Sequence, residues 1–436
     1  MAHLADSSGE EGIPSRYPSE SAFKDVDDLE AEIPNGKVVK IHRKELELKG
    51  APENWKKANI SDVECLGTYN WIREDKNVIL VPGAPPVWMP SSHPVCVGSK
   101  TRKSYFANDL EKWLRHPLEP AIHAAVHMYP GFDIMNFHIA TDPKAIDCMV
   151  AFVASEPVQF TLDVEVVNET VFIVCKGEEP YEGKNPYKSD ILTHCVSWEG
   201  CVKDSVSHHR VISYVFGGLR ILIRSTCHGY LPEAAGKVEG AEVLGDIQDI
   251  ELPNWLASLQ GDDVPVGRRL IPYREGKIVP QEALFDLKGV VPGHEALSEA
   301  DLRRLWVRQV PKAIIATHDC SFKSSQISDV TEVVQKWEEK HQPELEQLSE
   351  LLWKIGRVAN QSRSKKLSIR RFGDVLQIIE LGVPPVILSG MSNSKPTPVT
   401  KGLGEENDGK GRFEQTNIPR SASWESIPNR LGGTGR

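Results

Sequence analysis

The chain has 436 residues, a formal net charge of −10, 40% hydrophobic and 26% charged residues. That balance describes a soluble globular protein of one large or two ordinary domains, and no apolar run is long enough to span a bilayer. The negative charge excludes phosphate-backbone binding spread over the whole surface, though not a local basic groove.

Residues 1–36 are rich in Ser, Glu, Gly and Pro and have no apolar period, which predicts disorder. No apolar signal region lies there, so the expectation is a chain that is not secreted and works in nucleus or cytoplasm. The eight cysteines form no C-x-x-C pair and read as reduced thiols. Residues 108–116 and 117–129 read as two short helices broken at Pro117, and 143–154 as a third. Residues 158–167 and 170–175 alternate as neighbouring strands around an Asn168-Glu169 turn. Residues 211–216 and 219–224 flank Gly217-Gly218, a two-residue hairpin signal.

Further on, 278–288 reads as a buried strand. Ser298-Glu299-Ala300-Asp301 resembles a capping box for a helix through Trp306, and 310–317 returns as a strand. Residues 329–358 give the longest helical period, with Pro343 at a kink or break. Residues 369–381 read as a final strand. The polar, Pro- and Gly-punctuated stretch 390–436 predicts a second disordered segment, which leaves 37–389 as the folded domain. Strands interspersed with helices predict an α/β (α+β) domain with a mostly antiparallel sheet.

The chemistry-bearing pattern is Asp286-Leu287-Lys288. An acid and a lysine two residues apart share one face of a strand. A divalent cation held by such an acid neutralises a phosphodiester and activates water, and the lysine stabilises developing charge. Alone the tripeptide is weak. His123 and His127 have metal-ligand spacing on a helix but no Glu beside them, and read as surface residues. Tyr69, Trp71 and Trp88 could stack bases, but read as core. Arg363, Lys365, Lys366, Arg370 and Arg371 read as a solvated helix end and loop.

Other motifs fall in order around the tripeptide: Ser197-Trp198-Glu199, His209-Arg210, the Gly-Gly hairpin ending in Arg224, Val279-Pro280-Gln281, and Leu305-Trp306-Val307-Arg308-Gln309-Val310-Pro311. Their order and spacing over roughly residues 60 to 385 resembles the DXO-type RNA 5′-end decapping nucleases, in particular a divergent fungal branch. The resemblance implies a PD-(D/E)-x-K nuclease-like central mixed sheet flanked by helices. It implies catalytic roles for Glu199, Asp286, Lys288 and Gln309, and a Mg²⁺ or Mn²⁺ ion held by Glu199, Asp286 and His228. The partners it implies are an RNA 5′ end or a larger exonuclease, with no DNA and no membrane.

At one place the sequence departs from that pattern. The family's E-x-D acids fall on Thr226 and His228. A hydroxyl and an imidazole serve a hard cation poorly, and four acids drop to two. The expectation is therefore a family member with reduced or lost hydrolase activity, or a non-catalytic protein that binds RNA ends or an exonuclease.

Overall fold

Covering a sheet on both faces requires apolar residues on both faces, and the middle of this chain supplies them. The architecture comes from a computed structural model of the chain, which describes residues 38–47, 58–72, 77–91, 95–96, 116–129, 131–167, 169–176, 186–236, 270–319 and 321–382. The disordered segments expected at 1–36 and 390–436, most of the helix expected at 108–116, Asn168 and Cys320 lie outside the described residues.

Among the described residues the strands are β1 Val38–His42, β2 Ile60–Ile72, β3 Val78–Gly83, β4 Val87–Trp88, β5 Ile139–Thr141, β6 Thr161–Val167, β7 Thr170–Lys176, β8 Val196–Ser197, β9 Ser205–Phe216, β10 Leu219–Cys227, β11 Gly229–Tyr230, β12 Ile271–Gly276, β13 Leu284–Val290, β14 Lys312–His318, β15 Phe322–Asp329, β16 Lys366–Phe372 and β17 Val375–Glu380. The α-helices are α1 Glu119–Met128, α2 Pro143–Val153, α3 Pro186–Cys195, α4 Glu299–Arg308, α5 Thr331–Lys340 and α6 Gln342–Gln361.

Eleven strands form one sheet in the order β1-β17-β16-β6-β7-β5-β10-β9-β2-β3-β12, and six form another in the order β15-β14-β13-β11-β4-β8. Both are mixed. β5 runs parallel to β7 and β10, and β13 parallel to β14, while most other neighbours are antiparallel. The fold class is thus α+β, with large mixed sheets flanked by helices.

Alternation along β10 shows how the large sheet is covered. Ile221 and Ile223 pack with α2 and α6 residues such as Met149, Leu348 and Leu352, whereas Leu222 between them packs with Ala121 and Ile122 of α1. Apolar residues on both faces explain the largely hydrophobic hairpin, interrupted in its strands only at Ser213 and Arg220 between Val211 and Ile223. Gly217 (φ +55°) and Gly218 (φ +80°) close it, the left-handed pair that a tight two-residue turn demands.

Several expectations need correction. The 278–288 strand begins at Leu284, because residues 281–283 take a 3-10 turn first. The long helix is two, broken at His341, with Pro343 in the first turn of α6 where its missing N–H costs nothing. Residues 369–381 hold two strands, since Gly373 (φ +56°) turns β16 back into β17. Arg371 of the basic cluster is buried, its Nε donating to the Gly373 carbonyl at 2.9 Å. His123 and His127 are buried as well: α1 is enclosed along nearly its whole length. Tyr69, Trp71 and Trp88 are core residues, as expected. Among the described residues no helix is long and apolar enough to cross a membrane.

Candidate functional site

β13 is central in the smaller sheet, between β14 and β11. Phe285 and Leu287 bury one face against Ile191 and Leu192 of α3, with Ile314 and Ala316 of β14. Asp286 and Lys288 therefore point to the opposite face. There they meet α4. Its start is fixed by the expected capping box: Ser298 Oγ accepts from the Asp301 N–H at 3.3 Å, and Asp301 Oδ2 accepts from the Ser298 N–H at 2.9 Å.

Arg304 and Arg308 lie one helical turn apart and so share the face that looks at β13. Arg304 Nε donates to Asp286 Oδ2 at 3.0 Å, while its Nη2 donates to Asp301 Oδ1 at 2.9 Å. Arg308 Nη1 stands 3.8 Å from the same Asp286 oxygen. Lys288 Nζ is 2.6 Å from Asp301 Oδ2 and 2.7 Å from the Ala296 carbonyl. The acid and the lysine of the tripeptide are thus both tied to helix α4.

His228 follows β10 and packs on Asp286. Its Nδ1 touches Asp286 Oδ1, but it accepts its aligned hydrogen bond from the Leu287 N–H at 2.9 Å. Asp286 Oδ1 has no aligned hydrogen-bond donor. Burial pushes His228 down to about 4, with Asp286 opposing, so the ring is neutral at pH 7. Burial alone would raise Asp286. The contacts to His228 and the charge of Arg304 outweigh it and hold the carboxyl well below the usual carboxylate range. Thr226 sits directly across from His209 on β9, its hydroxyl 3.5 Å from His209 Nδ1. His209 itself stacks on Tyr69.

Glu199 is committed elsewhere. Its Oε1 accepts from Lys277 Nζ and from the Tyr230 hydroxyl, each at 2.6 Å. Lys277 also lies over the Tyr230 ring. Gln309 is the left-handed C-cap of α4 (φ +53°); its side-chain amide donates back to the Trp306 carbonyl, and its own carbonyl accepts from Gln281. That side chain ends a helix.

The donor set does not fit the divalent ion that the resemblance implies. Each of the two acids already has a cation within hydrogen-bonding reach, and Thr226 and His228 add no charge. Among the described residues no three His, Cys, Asp or Glu side chains are grouped to hold a metal. A second cation beside Arg304 and Arg308 would meet repulsion rather than ligands. What the arrangement does do is lock β13 to α4 through a buried ion network.

The sequence reading missed Arg304, Arg308, Asp301, Lys277 and Tyr230. Three of these carried a signal. Asp301, Arg304 and Arg308 fall at i, i+3 and i+7 on a helix already predicted from its capping box, hence on one face. Lys277 and Tyr230 carried none: Tyr230 comes near Glu199 through the pairing of β4 with β8 and β11, and Lys277 follows β12, which pairs with β3.

Among solved structures, the fold is similar to that of K. lactis Dxo1 in complex with manganese, with a TM-score of 0.50 at 8% identity, covering 79% of this chain and 98% of that one. S. pombe Rai1 gives a TM-score of 0.49 at 9% identity, covering 79% of this chain and 100% of that one. At such identities the likeness is one of fold. No curated protein matches the chain in sequence. A family model does match, over residues 51–384, and the chain accordingly belongs to the family described as a domain of unknown function (DUF8563).

Proposed function

We propose that this chain is a DXO-like protein that has given up metal-dependent hydrolysis and uses the same site to bind RNA 5′ ends. The observation that carries the reading is the pairing of Asp286 with Arg304: the acid that the resemblance makes a metal ligand already accepts from a guanidinium. Lys288, drawn to Asp301, is in no position to serve a water on Asp286. In this reading Glu199, Asp286, Lys288 and Gln309 stand at the ancestral catalytic positions and now serve the frame. The reading rests on the motif order in the sequence and on the shared fold. Manganese is present in the K. lactis Dxo1 structure; in this reading the neutral side chains of Thr226 and His228 offer such an ion too little ligand charge.

The test is direct. Purified protein is given 5′-triphosphate, 5′-monophosphate and capped RNAs with Mg²⁺ or Mn²⁺, and binding is followed across a salt series. The expected result is retention of RNA with a steep salt slope and no turnover. Turnover that Asp286→Ala abolishes would overturn the loss of hydrolysis, and absence of binding would overturn the RNA role.

A further inference from the structure

The ion network around Asp286 has more cations than acids. Among the described residues Arg304, Arg308 and Lys288 face Asp286 and Asp301, three cations to two acids. Arg303 alongside pairs with Asp147 at 3.1 Å and Glu156 at 2.7 Å. The surplus falls on Arg308. Its side chain is 10% exposed, and its Nε and Nη1, both buried, have no hydrogen-bond partner. Asp286 cannot supply one in full. Oδ2 already accepts from Arg304, and Oδ1 is on the His228 side. Arg210 offers a second case. Nη1 donates to the Val279 carbonyl at 2.8 Å, but its Nε is buried without an acceptor.

A position in the last turn of α4 accounts for a cation there, since the helix C-terminus favours positive charge. It does not account for two buried donors left unsatisfied, an arrangement that is unfavourable until an acceptor arrives. Each of these N–H groups can donate to a phosphate oxygen, and a guanidinium suits that oxyanion. Arg304, 19% exposed, adds charge one turn away, and Lys188 of α3 adds its own field at His228 and Asp286.

We propose that Arg308, with Arg304 beside it, forms a seat for a phosphate-class anion on the α4 face of β13. A site of cation-binding descent has reversed its charge preference and takes the anion directly. The proposal rests on the RNA-end reading only for the source of the anion: there the occupant is a terminal 5′-phosphate. Inorganic phosphate shares the chemistry.

Two arms test it with full-length protein. In the first, inorganic phosphate is titrated against thermal unfolding, with chloride at matched ionic strength as control. Phosphate at about ten times its dissociation constant raises the melting temperature of the wild type by about 2–4 °C. Arg308→Gln abolishes the shift and Arg308→Lys keeps part of it. In the second arm, 5′-phosphorylated and 5′-hydroxyl oligoribonucleotides are compared. Wild type prefers the phosphorylated form by about tenfold, and Arg308→Gln loses that preference. Should Arg308→Gln fail to fold, Lys188→Gln, on another element, weakens the phosphate shift instead. An Arg308-dependent phosphate shift without RNA binding upholds the seat and removes the RNA reading. RNA binding indifferent to the 5′-phosphate, with no phosphate shift in the wild type, removes the seat and leaves the RNA reading standing.

Discussion

Arg304 stands 3.0 Å from Asp286 and at the same time 2.9 Å from Asp301, so that one guanidinium joins strand β13 to the first turn of its neighbouring helix. Asp286 is almost wholly buried, and Arg304 is partly buried. An ion pair of this kind contributes little over a well-packed apolar pair but is costly to break on one side only.

Arg304→Ala should therefore destabilise the protein by about 2–4 kcal/mol, because it leaves Asp286 charged and buried. Joint replacement, Arg304→Met with Asp286→Leu, should recover most of that loss. Urea unfolding of the two singles and the double measures the coupling, and additive costs would show that the pair is not what holds α4 to β13.

Acid should weaken the fold from near pH 6.5 downward. Burial pushes His116 and His123 down to about 3 and His228 to about 4. The unfolded chain protonates its histidines near ~6.5, so below that pH it binds protons that the folded state refuses. Stability is full above about pH 6.5 and falls toward pH 4. Asp286, held low, adds a second loss that begins only below about pH 3.9. His123 makes the sharpest test, since neither ring nitrogen has a hydrogen-bond partner. His123→Leu should flatten the profile between pH 4 and 6 by up to about 1.4 kcal/mol per pH unit. Parallel urea-derived profiles for wild type and variant would rule the assignment out.

The two glycines of the central hairpin should respond differently to alanine. A Cβ on Gly217 would come within 1.9 Å of Ser349 Oγ and 2.6 Å of Ser349 Cβ. The hydroxyl can turn away, but the Cβ moves only with α6, and the Gly217 carbonyl also accepts from Trp353 Nε1 at 3.0 Å. Nothing lies within 4 Å of a Cβ on Gly218, where only the left-handed backbone is strained. Gly217→Ala should cost about 2–4 kcal/mol and Gly218→Ala about 1 kcal/mol by thermal unfolding. Equal costs would mean that the hairpin tip does not press on α6.

The sequence was most legible where short-range rules act alone. Gly217-Gly218, the Ser298 box and Pro143 as the opening residue of α2 all stand where turn and cap chemistry put them. It was least legible at sheet edges. β12 and β15 alternate weakly and expose Ile271, Tyr273 and Ile327, so no apolar pattern announced them. At the site, Asp286 and Lys288 were found, but their partners were not. The meaning of an acid depends on what packs over it, and Arg304 reaches Asp286 through the docking of a helix that no local rule fixes. His123 and His127 were misread for the same reason: burial of α1 is decided by β2, whose Gly67 lets the helix backbone come close enough that a Cβ would lie 2.9 Å from Ala124.

On the proposed reading, acids placed at positions 226 and 228 alone should not create a metal site. Thr226→Glu places a carboxylate beside His209, and His228→Asp places one beside Asp286, yet Arg304 and Arg308 would still hold that face. With both guanidiniums present, an acid at position 228 gains a cation already built into the protein. Wild type and the Thr226→Glu, His228→Asp double variant should both show melting temperatures within about 1 °C with or without Mn²⁺, and EDTA should change neither. Adding Arg304→Gln removes the competing charge, and the triple variant should then gain a Mn²⁺-dependent shift of about 2–5 °C. The comparison needs no catalysis to be read. A manganese response in the double variant would show that Arg304 yields readily, and the pairing with Asp286 would no longer explain the loss of the metal.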